Sequence, residues 1–251
     1  YQECVEKSYR ALRRQGLNVD VIDQKCSLAP YRFVAAPMQY LFHEGFAEKV
    51  REFVEKGGTF VLTYWSGVVD ENDLCFLGGT PHGLMDVFGL RSEEIDSIYD
   101  EEENLLCRTD EAPEGMKDSY VCKYLCQLVK PAAARTLMTY GKDFYAGTPA
   151  LLENDFGDGK AYYVCADAEQ AFYDDFYERL TKEAGISPIV STVIPDGVEV
   201  TSRSGENTDY IFFQNFNRHD VKVQLPEGEV IFGDKEGNMK PLGNIVVKVS
   251  C

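Results

Sequence analysis

The 251-residue sequence has little of what several common functional classes require. No apolar run approaches the length of about 18 residues that marks a membrane-spanning helix. Lys and Arg total 25 against 42 Asp and Glu, so the net charge is −17. Nucleic acids and anionic membranes bind clustered basic side chains. We therefore expect neither as a partner, whereas a neutral or sugar-like ligand stays open.

Metal-ligand patterns are also scarce. The chain has only three histidines, and its eight cysteines include no CxxC pair. The histidines lie far from the cysteines, so we predict no metal site. Several cysteines sit in apolar runs, such as Cys165 in AYYVC, where a free thiol acts as a small hydrophobe. This usage favours a reducing, cytoplasmic compartment. Because residue 1 begins neither a signal peptide nor an initiator Met, we expect a piece of a longer protein.

The sequence offers no complete catalytic or cofactor motif. The glycine-rich stretch Gly78–Gly83 is neither GxGxxG nor a Walker loop, which favours a demanding turn and no cofactor. Ser66 follows an apolar strand, roughly where an α/β hydrolase or a glutaminase-like domain holds its nucleophile. A nucleophile elbow needs glycine two residues earlier, and that position is Tyr64. His219 lies in the C-terminal region, so we predict a structural serine and no catalytic residue.

Polar and aromatic residues cluster after the same apolar strand, Thr59–Tyr64. The run Asp70, Glu71, Asn72 and Asp73 lacks the EF-hand spacing, which favours loop capping or interface hydrogen bonds. Tyr64 and Trp65, the only tryptophan, could stack on a sugar ring. An aromatic at a strand end is more typical of a core or a protein interface. The candidate binding or interface residues are Tyr64, Trp65, Asp70, Glu71, Asn72 and Asp73.

Strand and helix patterns alternate over the first three quarters of the chain. The predicted helices are Gln2–Gln15, Glu44–Lys56 and Ala168–Ala184; the predicted strands include Asn18–Ile22, Tyr31–Ala36 and Thr59–Tyr64. The nearly continuous apolar run of Thr59–Tyr64 is typical of a strand buried on both faces. Thr148–Ala166 predicts a β-hairpin around a glycine turn. The acidic run Ser92–Asn104 is interpreted as a solvated loop.

Beyond Pro188 the pattern changes to short alternating strands between turn clusters, with no helix. We therefore expect an α/β domain at residues 1–188 and a small antiparallel all-β domain at residues 189–251. The α/β part is predicted to be a flavodoxin-like or class I glutamine amidotransferase-like, mostly parallel sheet with helices on both faces. A doubly wound domain normally begins with a strand. Either its first strand is therefore expected upstream of residue 1, or another part of the chain supplies it.

The amino-acid sequences of several stretches resemble those of one protein family. GGTFVLTYWSGVVDENDLCFLGGTPHGLMDVFGL is similar to the signature stretch of the trimerisation domain of glycoside hydrolase family 42 β-galactosidases. SYRALRRQGLNVDVID, YRFVAAPMQYLF, EEIDSIY and YAGTPALLENDFGDGKAYYV resemble other parts of that domain. GVEVTSRSGENTDYIFFQNFNRHDVKVQLP is similar to the family's small C-terminal β domain. The resemblance extends over nearly the whole chain.

The resemblance implies a role in subunit assembly. The family's catalytic glutamates lie in a TIM barrel that these residues do not resemble, so no catalytic residue is carried over. The parent is implied to be a retaining β-galactosidase acting on terminal β-D-galactosides through that barrel. The resemblance implies that this chain holds a homotrimer together and forms part of the wall of a neighbouring subunit's catalytic pocket. The alternatives are a free-standing carbohydrate-binding module and a glutaminase-like hydrolase.

Overall fold

The computed structural model describes residues 1–250, and the chain divides into two compact units. The first unit comprises Tyr1–Ser8 and Ile22–Gly185. The second comprises Tyr9–Val21 and the residues from Ile186 onwards. Helix α1 (Gln2–Arg13) contributes its first residues to one unit and its remaining residues to the other.

The first unit contains a nine-stranded sheet and two further helices. In chain order its elements are β1 (Phe33–Ala36), α2 (Phe46–Glu55), β2 (Thr59–Thr63), β3 (Leu90–Ser97), β4 (Asn104–Arg108), β5 (Ser119–Pro131), β6 (Arg135–Tyr140), β7 (Pro149–Phe156), β8 (Gly159–Val164), β9 (Ala166–Ala168) and α3 (Gln170–Glu183). The strand order is β1-β2-β8-β7-β6-β4-β5-β3, and β9 also pairs with β5.

The sheet is mixed rather than uniformly parallel. Strand β2 pairs in parallel with β1 and with β8, as the alternating pattern predicts for this part. The other pairs are antiparallel, including the predicted hairpin β7–β8. The physical reason is connection length. Short links such as residues 157–158 can join only antiparallel neighbours, whereas parallel strands need a long crossover.

Helices lie on both faces of the parallel part, as predicted. The Phe60 ring of β2 packs edge-to-face against Phe53 of α2. The Tyr162 ring of β8 packs in the same way against Phe176 of α3. Phe60 pairs with Ala161 in the register, so Tyr162 points to the opposite face. Strand β2 is therefore buried from both sides, which confirms the interpretation of its apolar run.

Two predicted loop and strand assignments are wrong. The acidic run Ser92–Asn104 is not all loop, because Leu90–Ser97 forms β3 at the end of the sheet. An edge strand with mostly exposed side chains tolerates charge, and charge discourages pairing with other chains. Asn18–Ile22 forms no strand. Instead the Asn18 side chain forms two hydrogen bonds with Ser202. Its Nδ2 donates to Oγ of Ser202, and its Oδ1 accepts from the backbone N–H of Ser202.

The second unit is a small β structure, as predicted. Its strands are β10 (Val198–Ser204), β11 (Thr208–Asn215), β12 (Val221–Lys222), β13 (Glu229–Phe232), β14 (Asn238–Met239) and β15 (Asn244–Ser250). Four of them form an antiparallel sheet in the order β10-β11-β15-β13, and β12 pairs with β14. Alternate residues of β10, β11 and β15 point inward, including Val200, Phe213 and Val247, and form its core.

Candidate functional site

The loop that follows β2 leaves the sheet through a strained tryptophan. Trp65 has φ 54°, a left-handed conformation that is uncommon for a large side chain. The backbone N–H of Trp65 donates to Oε1 of Gln127 at 3.0 Å, and this hydrogen bond holds the backbone turn in place. The indole packs edge-to-face against Tyr40, with ring centroids 5.5 Å apart. The loop therefore starts from a fixed point.

Gln127 is the anchor behind that turn, and the sequence patterns did not indicate it. Its side chain is buried in β5. Oε1 also accepts from the Tyr163 hydroxyl at 2.8 Å, and Nε2 donates to Oγ of Ser92 at 2.6 Å. One amide thus connects β3, β5, β8 and the start of the loop. A buried amide stabilises a fold only when its donors and acceptors are paired, as they are here.

Ser66 has a structural role, as predicted. Its side chain is fully buried. Oγ donates to the carbonyl of Thr63 at 2.7 Å and accepts from the N–H of Gln39 at 2.9 Å. A nucleophilic serine instead needs an exposed hydroxyl bonded to a base. The arrangement ties two backbone segments together and gives no support to a glutaminase-like hydrolase.

Gly67 allows the loop to fold back on itself. It has φ +65°, and a Cβ there would lie 2.8 Å from the backbone N of His82. Its carbonyl accepts from that same N–H at 3.2 Å. The His82 ring then stacks on Phe76, with centroids 3.8 Å apart and planes 4° apart. Only glycine fits this close approach, which gives a steric reason for the glycine that follows Ser66.

The predicted polar run forms a compact turn, which we call the 70–77 turn (Asp70–Leu77). Oδ1 of Asp70 accepts from the N–H of Leu74 at 3.0 Å and from that of Asn72 at 2.8 Å. These bonds, that of Leu74 first, hold the pKa of Asp70 below its ordinary value. Val69 and Cys75 form an antiparallel bridge across the turn. Asp70 therefore caps the loop, as its residue type predicts.

The 70–77 turn carries large apolar side chains into solvent. Leu77 is 91% exposed and Leu74 is 68% exposed. Glu71, Asn72 and Asp73 are exposed beside them, and Asp73 has φ 62°. A rigid turn that presents two leucines within a polar rim is typical of a protein interaction surface.

Tyr64 lies apart from the other candidates. Its side chain is buried, and burial raises the pKa of its hydroxyl, as do the neighbouring Cys4 thiol and Asp167 carboxylate. Its side chain packs beneath the end of β2, whereas Trp65 and residues 70–73 are at least partly exposed.

The sequence patterns missed Leu74 and Leu77, because an isolated leucine in a polar loop has no periodicity to interpret.

Within residues 1–250, no group of three or more His, Cys, Asp or Glu side chains is placed to hold a metal ion. Over the same residues, no helix is both long and apolar enough to cross a membrane. Seven cysteines fall within the described residues, and each is a free thiol; Cys251 lies outside them.

These features define a mixed α/β domain joined to a β-sheet unit, with a presented loop and a buried, hydrogen-bonded serine at the strand end. The chain belongs to the glycoside hydrolase family 42 β-galactosidases. Residues 1–187 match the β-galactosidase trimerisation domain, and residues 197–248 match the β-galactosidase C-terminal domain. Both are non-catalytic domains of that family, which confirms the resemblance.

Known β-galactosidases are similar to the chain over nearly its whole length. β-Galactosidase BglY of Alicyclobacillus acidocaldarius is 43% identical over 91% of this chain and 33% of its own. β-Galactosidase Pbg of Clostridium perfringens is 37% identical over 99% of this chain and 37% of its own. The crystal structure of the Rahnella sp. R3 enzyme superposes with a TM-score of 0.92 at 39% identity, over 100% of this chain and 37% of that one. The chain thus spans about a third of the length of these relatives.

Proposed function

We propose that this chain is the assembly region of a β-galactosidase that hydrolyses terminal β-D-galactosides. In this role the α/β domain holds a homotrimer together and helps wall the catalytic pocket of a neighbouring subunit, while catalysis belongs to another part of the protein. The observation that carries the proposal is the match of residues 1–187 to a domain described by its trimerisation.

The 70–77 turn supplies the physical basis for contact. Exposed leucines bury apolar area when two surfaces meet, and a turn that is already ordered loses little entropy on binding. Asp70 and Gly67 fix its backbone, and Trp65 fixes its start. We assign direct contact to the exposed part, including Glu71, Asn72 and Asp73, and a supporting role to Tyr64. Ring assemblies use two different patches per subunit, and this turn is proposed as part of one.

The test removes the two leucines without touching the backbone bonds of the turn. In the protein that carries this chain, Leu74→Ser with Leu77→Ser should shift the mass measured by light scattering from trimer toward monomer at micromolar concentration. Hydrolysis of a chromogenic β-galactoside should fall with it, because the neighbouring pocket loses its wall. Each truncation at the centre of an interface costs about 1–2 kcal/mol of association free energy.

The control variant replaces two similarly exposed apolar residues that lie outside the turn. Val21 and Val193 are 79% and 92% exposed. Val21→Ser with Val193→Ser should leave both mass and activity unchanged. If the leucine variant keeps the full trimer mass and full activity, the turn is not an assembly surface.

A further inference from the structure

Strand β5 contains a bulge that brings two cysteines to neighbouring positions. Cys122 pairs with Ala168 of β9 and Cys126 pairs with Ala166, so a step of four residues along β5 matches a step of only two along β9. The register shifts between the two cysteines, where Tyr124 has a left-handed φ of 62°. The bulge therefore shortens the distance that a regular strand would keep between them.

This register places the two thiols on the same face of the sheet and within bonding reach. Paired residues of neighbouring strands point to the same face, and Ala166 and Ala168 are two residues apart, so Cys122 and Cys126 share a face. Two residues of strand cover roughly 6.5 Å, and the Cα atoms of a disulfide lie about 4.4–6.8 Å apart. The two cysteines thus meet the backbone requirement for a disulfide.

The two thiols already interact as a pair. Both side chains are fully buried, and both are free thiols. The S–H of Cys122 donates to the sulfur of Cys126, and this contact, more than any other neighbour, lowers the pKa of Cys126 and raises that of Cys122. The Tyr145 and Tyr140 hydroxyls also lower the pKa of Cys126, whereas burial and Asp96 oppose them. Cys126 is therefore the thiol that more readily becomes a thiolate, the nucleophilic form.

Two other cysteines of the first unit are placed differently. Cys107 of β4 pairs with Ser119, three residues before Cys122, so the Cys107 side chain points to the opposite face of the sheet. Cys165, between β8 and β9, is fully buried, and burial raises the pKa of its thiol well above the ordinary value. A thiol that stays protonated reacts slowly with oxidants.

The bulge supplies a route to the buried pair. Lys123 and Tyr124 are exposed, and the pairing with β9 skips Tyr124 and Leu125. On the other side, the N–H of Ile98 donates to the carbonyl of Tyr124 at 3.0 Å. A segment held from one side opens locally at a lower free energy than the paired strand around it. Hydrogen peroxide is little larger than water and enters through such an opening.

We propose that Cys122 and Cys126 form a peroxide-sensitive dithiol site that closes to an intramolecular disulfide. The Cys126 thiolate attacks one oxygen of hydrogen peroxide, the O–O bond breaks, and the leaving hydroxide takes up the thiol proton as water. The Cys122 sulfur then attacks the resulting sulfenic acid, the S–O bond breaks, and a second water leaves with the remaining proton. Two thiols lose two electrons in total, and one peroxide becomes two waters. The inference does not depend on the proposed function.

The test uses a trypsin site that lies between the two cysteines. Trypsin cleaves after Lys117, Lys123 and Arg135, whereas Pro131 protects the bond after Lys130. The folded protein that carries this chain is treated with hydrogen peroxide, unfolded in urea with N-ethylmaleimide to block free thiols, and digested without reduction. We expect residues 118–123 and 124–135 to stay joined, at the summed mass of the two peptides less two hydrogen atoms. Dithiothreitol should separate them.

Cys165 is the internal control, because it is equally buried. It should be recovered with N-ethylmaleimide attached, in the same sample in which Cys122 and Cys126 are linked. Recovery of Cys122 and Cys126 as blocked free thiols after peroxide treatment would overturn the inference. Linkage of either residue to Cys107 or Cys165 instead of to each other would also overturn it.

Two variants test the separate roles of the two sulfurs. In Cys122→Ala the sulfenic acid at Cys126 has no thiol to attack it, so dimedone, which labels sulfenic acids, should mark Cys126 after peroxide treatment. In Cys126→Ala the remaining thiol lacks an activating partner, and Cys122 should stay unlabelled. Cooperative thermal unfolding of both reduced variants shows that they are folded. Labelling of Cys122 in the second variant and not of Cys126 in the first would overturn the assigned roles.

Discussion

Asp70 shows how one side chain sets the shape of the presented loop. Its carboxylate accepts two backbone N–H bonds, which favour the charged form and lower its pKa. Because the folded pKa lies below the unfolded one, these bonds contribute fully above about pH 4, the ordinary range of an aspartate. Their contribution is lost as the pH falls through the lowered folded value. The turn should therefore be ordered at neutral pH and loosen in acid.

Replacing Asp70 tests that role directly. Asp70→Ala should speed amide exchange at Asn72 and Leu74 several-fold near neutral pH, while amides of β2 exchange as before, because only the local bonds are lost. Asp70→Asn is the control, since its amide oxygen still accepts both bonds. If exchange at Leu74 in the alanine variant equals that of the unmodified chain, Asp70 does not hold the turn.

The sequence predicts such capping residues better than it predicts contact residues. The type and position of Asp70 after a strand indicate a capped loop. The exposure of Leu77 depends on the path that Gly67 and Trp65 impose on the whole loop, and no local pattern encodes that path. Tyr64 illustrates the reverse case: it adjoins Trp65 in sequence, but its side chain is buried.

At the scale of elements, Gln127 links strands that are distant in sequence. Its side chain pairs with Trp65, Ser92 and Tyr163, which lie in three different segments. The position of the loop after β2 relative to the sheet therefore depends on one buried amide. A long-range network of this kind cannot be seen in a single sequence, whereas the hairpin β7–β8 can be, because its turn and its two apolar runs are local.

Gln127→Leu should destabilise the first unit by about 3 kcal/mol, because the Trp65 N–H and the Tyr163 hydroxyl would lose their buried partner. Urea unfolding followed by circular dichroism measures this. Lys123→Leu, an exposed change on the same strand, should stay within about 0.5 kcal/mol of the unmodified protein. If the two variants unfold at the same urea concentration, Gln127 does not link the strands in the way described.

Strand direction is the element-scale feature that sequence patterns described least well. The apolar run at Thr59–Tyr64 correctly indicates a parallel, doubly buried strand. The acidic β3 has no such signal, because an edge strand in water resembles a loop in composition. Among the strands of the described sheet, β1, β2 and β8 pair in parallel, and antiparallel strands extend the sheet beyond them.

At the scale of the whole molecule, the observation that supports the proposed assembly role is the match of residues 1–187 to a trimerisation domain. Composition only predicts which classes of partner to expect, whereas the resemblance to the family lies in the specific sequence of the loop that follows β2. The surface proposed here, the 70–77 turn, has no periodicity that a sequence pattern could detect. It needed the three-dimensional exposure of leucines in an irregular loop.

The mass of the protein that carries this chain, measured by sedimentation velocity at micromolar concentration and moderate salt, tests the central claim most directly. The account predicts a single species of three times the subunit mass, which dissociates when Leu74 and Leu77 are replaced by serine. A monomer at that concentration, with undiminished β-galactosidase activity, would contradict it.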